Sequence, residues 1–137
     1  MNAFGRTEKA RNGMSGRRMK TVMVVDDDPV CCALLTAFLD SRGYAAVPVP
    51  DTYAALDILE SDRPIDLAVI DIVMPPGHPH GYALAAMASL RRKDLPVVFV
   101  TGSAEFMRPD LAGDHPLLQK PVDLEALHQA VRAKVGG

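Results

Sequence analysis

The chain has only two cysteines and no long apolar run. No stretch approaches the roughly 18 consecutive apolar residues of a transmembrane helix, and the first residues lack the apolar segment of a secretory signal peptide. Cys31 and Cys32 are adjacent, so they cannot form an ordinary disulfide between distant parts of a fold. Two free thiols without a signal peptide favour a reducing, cytoplasmic setting, and we expect no membrane association.

Aromatic residues are also scarce. They make up 5 % of the chain and include no tryptophan, whereas hydrophobic residues reach 48 %. That hydrophobic content is enough for one well-packed core. The 137 residues suit a single domain, since domains run to about 100–200 residues each.

The net charge of −2 conceals an uneven distribution. Residues 1–20 carry six basic residues and one acidic residue, a net +5, while the rest carries nine basic and sixteen acidic residues, a net −7. The acidic body argues against nucleic acid as its main partner. Residues 1–19 mix Gly, Ser, Asn, Arg and Lys without hydrophobic periodicity, which predicts a flexible basic tail before a domain over 20–137.

Short apolar runs alternate with helical patterns after the tail. We predict strands at residues 21–25, 44–49, 66–70, 96–100 and 117–119. Helices are predicted after the N-caps Asp28, Asp51 and Asp123, with another over about residues 82–92. Strands that are almost continuously apolar and alternate with helices predict an α/β fold, with a parallel sheet covered on both faces.

Polar side chains stand where these strands end. Asp26 and Asp27 follow the first strand, Asp71 the third, Thr101 the fourth and Lys120 the fifth. The carboxyl ends of parallel strands share one edge of the sheet, which is where open α/β sheets bind ligands. We therefore expect these five side chains to converge.

The three aspartates need a cation if they lie close together. Mg²⁺ prefers such oxygen ligands, and a carboxylate such as Asp71 can act as a nucleophile that forms an aspartyl phosphate. Thr101 and Lys120 could then neutralise charge on a phosphoryl group. The competing interpretation is a buried salt-bridge cluster between the aspartates and Lys120.

The motifs VVDDDP, VIDIVMPP, VTG and QKPVDLEAL resemble the response regulator receiver family over residues 21–135. The resemblance implies a flavodoxin-like, three-layer (βα)5 fold whose five-stranded parallel sheet has the order 2-1-3-4-5. It also implies that the protein receives a phosphoryl group from a histidine kinase or a histidine phosphotransfer protein. The corresponding lysine-proline peptide is usually cis in this family, so we expect the Lys120-Pro121 peptide to be cis.

The resemblance assigns a role to each residue at the strand ends. Asp71 corresponds to the phosphoacceptor, and Asp26 and Asp27 to the acidic pair that binds Mg²⁺ with it. The backbone carbonyl of Val73 corresponds to another metal ligand. Thr101 and Lys120 correspond to the hydroxyl and the lysine that complete the site.

The loop after Asp71 departs from the family pattern. It reads MPPGHPHG, about two residues longer than usual, and Gly81 fits the glycine expected at its end. His78 and His80 could suggest a metal role. Two histidines in a proline-rich loop without a third soft ligand are more often solvent-exposed loop residues.

The segment between Thr101 and Lys120 departs as well. Pro109 and Gly113 predict a short or broken fourth helix, and Leu117 stands where the family has an aromatic switch residue. The stretch PVVFVTG is similar to a threonine-glycine subclass that lacks this aromatic. We therefore expect activation to rearrange the loop after Thr101.

The favoured hypothesis is a stand-alone receiver that works as a switch and not as a conventional enzyme. We expect no output or DNA-binding domain, so the signal would pass to another, unidentified protein or by onward phosphotransfer. One alternative is a pseudo-receiver that serves only as a docking module. Another is a Mg²⁺-dependent phosphohydrolase, but such enzymes generally need a second acid at the position of Val73.

Overall fold

Strands and helices alternate along the chain, as the sequence predicts. The structure is a computed structural model that describes residues 19–136, so the predicted tail, apart from Met19, lies outside the described residues. The strands are β1 Thr21–Val25, β2 Ala45–Val49, β3 Leu67–Asp71, β4 Val97–Thr101 and β5 Leu117–Gln119. The helices are α1 Pro29–Ser41, α2 Thr52–Glu60, α3 Gly81–Arg91, α4 Pro109–Ala112 and α5 Leu124–Val135.

The five strands form one sheet in which every neighbouring pair is parallel. Their order is β2-β1-β3-β4-β5, so the predicted flavodoxin-like arrangement is confirmed. Pro48 lies in β2, at the edge of the sheet, where its missing N–H is tolerated.

Alternate strand residues face opposite sides of the sheet and create two cores. In β1, Val22 and Val24 pack with α1 and α5, whereas Met23 and Val25 pack with α2, α3 and Ala112 of α4. Helices therefore cover both faces, which gives the predicted three layers. Because β1, β3 and β4 are buried on both faces, only their carboxyl ends can present polar side chains to a ligand.

Side-chain caps fix where most of the helices begin. Asp28, Asp51 and Asp123 each accept hydrogen bonds from backbone N–H groups of the first helical turn, as predicted. His80 does the same for α3, since its Nδ1 accepts from the N–H of Ala83 at 3.2 Å. The sequence did not predict this cap, because histidine is not among the usual N-cap residues.

Three strands differ from their predicted bounds by one residue. Strand β4 runs over Val97–Thr101, whereas residues 96–100 were predicted. Strand β2 begins at Ala45, because Tyr44 belongs to the preceding turn. Strand β3 includes Asp71, whereas Asp66 precedes the strand and accepts a hydrogen bond from the N–H of Thr21 at 2.7 Å. The predicted break in the fourth helix is confirmed, since a short 3-10 turn at Ala104–Phe106 precedes a helix α4 of only four residues.

Candidate functional site

The carboxyl ends of β1 and β3 bring three aspartates together. Asp26, Asp27 and Asp71 each offer a carboxylate oxygen, and these oxygens all lie within 4.8 Å of one another. Asp26 and Asp71 are buried, whereas Asp27 is exposed. The cluster is thus enclosed on the protein side and open towards solvent at Asp27.

Lys120 joins two of these carboxylates. Its Nζ donates hydrogen bonds to Oδ2 of Asp26 at 2.9 Å and to Oδ2 of Asp71 at 3.1 Å. The Lys120 side chain is 19 % exposed, so both contacts are shielded from bulk water. Lys120 follows β5 directly, and its Lys120-Pro121 peptide is cis, as expected.

Burial dominates the electrostatics of Asp71. Together with the nearby charge of Asp26 it raises the pKa of Asp71 to about 6, although Lys120 and the Val73 N–H act in the opposite direction. For Lys120, burial acts to lower the pKa. Hydrogen bonding to Asp26 and the charge of Asp71 outweigh burial and raise it above its ordinary value. The lysine is therefore a fixed positive charge.

Thr101 and Val73 both lie next to this cluster in the fold. Thr101 is fully buried at the end of β4, and its hydroxyl accepts a hydrogen bond from the N–H of Ser103 at 3.3 Å. Its carbonyl accepts from the N–H of Lys120 at 2.7 Å. The N–H of Val73 donates to Oδ1 of Asp71 at 3.2 Å, while its side chain is 42 % exposed. The metal-binding role of the Val73 carbonyl stays a prediction.

The extended loop after Asp71 is attached to the start of α2. The hydroxyl of Thr52 donates to the carbonyl of Pro79 at 2.7 Å, and that of Tyr53 donates to Gly77 at 3.2 Å. The ring of His78 lies 4.6 Å from that of Tyr53 and is half-buried, so the expectation of an exposed loop histidine is wrong for this residue. His80 is exposed and caps α3.

Gly81 ends this loop against the backbone of the candidate phosphoacceptor. Its N–H donates to the carbonyl of Ile72 at 2.8 Å. A Cβ at this position would lie 2.6 Å from the backbone oxygen of Asp71 and 2.6 Å from the Cα of Ile72. Only glycine fits at this position. This gives a steric reason for the glycine that the family pattern predicts at the end of the loop.

Two residues near the site were not assigned a role from the sequence. Cys31 is half-buried, and burial followed by the nearby Asp26 raises its pKa to about 11, which keeps the thiol protonated. Tyr82 is buried, and its hydroxyl contacts the segment after Thr101. The sequence pattern places Tyr82 at the start of a helix but gives no indication of this hydroxyl contact.

The donor set fits a magnesium ion. The three carboxylates are hard oxygen ligands at one end of the sheet, and one of them is exposed, which leaves room for water molecules that Mg²⁺ retains. Among residues 19–136, no other group of three or more His, Cys, Asp or Glu side chains comes as close together. None of the helices in that range has the length and apolar content needed to cross a bilayer.

Comparison with known proteins supports the family resemblance. The sequence model of the response regulator receiver domain matches residues 22–132. The response regulator MprA of Mycolicibacterium vanbaalenii is 33 % identical over 115 residues, which cover 82 % of this chain and 48 % of MprA. The two-component response regulator ORR22 of Oryza sativa is 31 % identical over 140 residues, covering 92 % of this chain and 20 % of ORR22.

The fold agrees with a solved receiver structure. A response regulator receiver protein from Sinorhizobium medicae superposes with a TM-score of 0.79 at 24 % identity, over 87 % of this chain and 96 % of that one. The chain spans about half of MprA and a fifth of ORR22, so the match concerns the receiver portion of those relatives. The chain belongs to the response regulator receiver family of two-component systems.

Proposed function

We propose that this receiver domain accepts a phosphoryl group on Asp71 from a histidine kinase or a histidine phosphotransfer protein. The observation that carries the proposal is the position of the Asp71 carboxylate, which lies 3.1 Å from the Lys120 ammonium and within 4.8 Å of the carboxylates of Asp26 and Asp27. A buried carboxylate beside a fixed cation is suited to nucleophilic attack on a phosphoryl group.

The transfer is an exchange of one bond for another. An oxygen of Asp71 forms a bond to phosphorus while the bond from phosphorus to the donor's imidazole nitrogen breaks. The electron pair of that bond stays on the nitrogen, and the imidazole regains its neutral form by proton exchange. Lys120 neutralises charge on the phosphoryl oxygens, and the hydroxyl of Thr101 donates to one of them after it leaves Ser103.

Asp26, Asp27 and Asp71 would hold Mg²⁺ in this state, with the carbonyl of Val73 as the predicted fourth protein ligand. A bound Mg²⁺ would offset the repulsion among the carboxylates and leave a coordination position for a phosphoryl oxygen. The fit of the three carboxylates, described above, supports this assignment.

The face beside the site offers a place for the phosphodonor. Val30 and Leu34 on α1 are 76 % and 55 % exposed. Two alanines of the same helix, Ala33 and Ala37, are exposed as well. A groove of about 520 Å³ continues from Asp26 and Asp27 along α1 towards Pro48 and Pro50. An apolar helix face that borders a phosphoacceptor suits a helical protein partner.

The residue at position 73 makes a turnover enzyme the weaker hypothesis. A phosphohydrolase would use an acid two residues after its nucleophile, and this chain presents the exposed apolar side chain of Val73 there. We therefore infer a cytoplasmic switch that signals to another protein or passes the phosphoryl group onward. The pseudo-receiver hypothesis predicts the same fold without modification of Asp71.

Phosphorylation with acetyl phosphate separates these functions. We expect Mg²⁺-dependent addition of one phosphoryl group to the wild type, mapped by mass spectrometry to Asp71 and absent in Asp71→Asn. Asp57→Asn, on α2, serves as a control that should be modified like the wild type. No modification of the wild type by acetyl phosphate or a histidine kinase would favour a pseudo-receiver, and sustained hydrolysis of phosphate esters would favour an enzyme.

A further inference from the structure

The segment that follows Thr101 is held at both ends by side-chain hydroxyls. At its start, the hydroxyl of Thr101 accepts a hydrogen bond from the N–H of Ser103 at 3.3 Å. At its end, the hydroxyl of Tyr82 donates to the carbonyl of Phe106 at 2.7 Å and accepts from the N–H of Arg108 at 2.9 Å. The 3-10 turn Ala104–Phe106 lies between these two attachments.

Tyr82 is itself firmly anchored. Its ring packs against Phe99 of β4 at a centroid distance of 4.9 Å, and the residue is only 8 % exposed. It directly follows Gly81, whose backbone is pressed against Asp71 and Ile72. The hydroxyl is therefore positioned by elements that belong to the phosphoacceptor end of the sheet.

One of the two bonds of Tyr82, the one from the N–H of Arg108, lies at the start of α4. The carbonyl of Arg108 accepts the first hydrogen bonds of that helix, from the N–H groups of Leu111 and Ala112 at 2.9 Å each. The helix has only four residues, and no side chain caps it. Such a short helix depends on external contacts for its position, and Tyr82 provides one at Arg108.

We propose that Tyr82 is a positioning residue which acts as a fixed pivot, so that phosphorylation of Asp71 moves residues 102–105 and leaves α4 in place. This inference rests on the proposed function, because it describes how the modified site is reported. When the hydroxyl of Thr101 turns to a phosphoryl oxygen, Ser103 loses its contact and the start of the segment is released. The end stays attached to Tyr82, so the motion stops at Phe106.

Leu117 cannot respond to the Thr101 hydroxyl in the way that the family's aromatic residue does. It is half-buried in β5 and packs in the same core as Tyr82 and Phe99, and it has no polar group that could follow the Thr101 hydroxyl. Tyr82 does present a hydroxyl to the segment after Thr101, but it approaches from α3 and binds backbone groups.

The test uses Tyr82→Phe, which keeps the ring against Phe99 and removes only the hydroxyl. Without ligand, amide hydrogen exchange measured by NMR should show the Arg108 N–H exchanging roughly five- to tenfold faster than in the wild type, as expected for one lost hydrogen bond. Tyr53→Phe is the matched control. That hydroxyl donates to Gly77 in the other loop, so exchange at Arg108 should be unchanged.

The second measurement adds beryllofluoride and Mg²⁺ as a phosphoryl mimic and follows backbone chemical shifts. In the wild type, we expect chemical-shift changes at residues 102–105 while the Arg108 N–H keeps its protection. In Tyr82→Phe, the changes should extend through residues 109–112. A merely structural tyrosine would lower stability without moving this boundary. The pivot is overturned if the boundary is the same in both proteins, or if the wild type loses protection at Arg108. If the wild type shows no chemical-shift change anywhere, the proposed function itself is overturned. The exchange measurement without ligand does not depend on that function, so the two failures can be told apart.

Discussion

The Nζ atom of Lys120 lies 3.1 Å from Oδ2 of Asp71, although the two residues are 49 positions apart in the chain. The same ammonium reaches Asp26 at 2.9 Å, across 94 positions. Lys120 therefore offsets the charge of two buried carboxylates before any phosphoryl group or metal ion is bound. Its role in stability and its proposed role in phosphotransfer come from the same contacts.

Removing the ammonium should destabilise the protein most strongly without Mg²⁺. Lys120→Met leaves the Asp26 and Asp71 side chains, 0 % and 6 % exposed, without their cation, and we expect a loss of about 3 kcal/mol in the free energy of unfolding. Because a bound cation would supply the missing charge, Mg²⁺ should restore more stability to this variant than to the wild type. Urea unfolding in EDTA and in Mg²⁺ measures both effects. Lys134→Met, at an exposed position of α5, is the control, and an equal Mg²⁺ effect in all three proteins would refute the prediction.

A methyl group at position 81 should not be accommodated. In Gly81→Ala the new Cβ would lie 2.6 Å from two backbone atoms that cannot rotate away, so we expect a loss of about 2 kcal/mol or more in unfolding free energy. Gly102→Ala is the matched control, because its Cβ would meet only Cδ of Lys120 at an ordinary 3.9 Å. Thermal or urea unfolding compares the two, and similar stabilities would show that the loop can shift.

A charge on the exposed face of α1 should impair transfer from a protein donor. In Leu34→Glu we expect phosphotransfer from a histidine kinase to slow by about tenfold, since a hydrophobic contact becomes a buried charge. Phosphorylation by acetyl phosphate should be unchanged, because Leu34 is not part of the acidic site. Leu90→Glu, a leucine that is 85 % exposed on α3, should leave both reactions unaffected. Equal slowing with both donors would point to damage at Asp71.

The side chain at position 73 should control how long the phosphorylated state lasts. Val73 is apolar and 42 % exposed, so it cannot orient a water molecule towards the acyl phosphate. We expect Val73→Asn to shorten the lifetime severalfold, because an amide can hydrogen-bond the attacking water. Loss of phosphoprotein over time after removal of acetyl phosphate measures it, with Leu90→Asn as the control. Equal lifetimes for Val73→Asn and wild type would reject the hypothesis.

The contribution of His115 to stability should fall as the pH drops below about 6.5. Burial, reinforced by Lys134, lowers the pKa of His115 in the folded protein, although Asp114 acts in the opposite direction. In this range the unfolded chain binds a proton that the folded chain binds less readily, so acid favours unfolding. Asp71, whose raised pKa of about 6 acts in the opposite direction, is present in both proteins. We therefore expect the unfolding free energy at about pH 5, relative to that at about pH 7, to be higher in His115→Gln than in the wild type. An identical pH profile in the two proteins would contradict this prediction.

The order of the elements and the residues at the strand ends were predictable from the sequence. Hydrophobic periodicity, N-caps and glycine or proline breaks are local signals, so Asp28, Asp51 and Asp123 could be assigned as caps and α4 as broken. In a parallel sheet the strand ends share an edge, which is why Asp26, Asp71 and Lys120 could be expected to meet.

Contacts set by packing could only be found in the tertiary structure. The bridge from Lys120 to both aspartates depends on strand order and register, which determine distances between residues that are far apart in the chain. The hydroxyl bonds of Tyr82 require α3 and the segment after β4 to come together, and periodicity indicates only that a helix begins near Tyr82. The sequence by itself therefore determined which groups are available for chemistry, and the packing of helices on the sheet decided which of them touch.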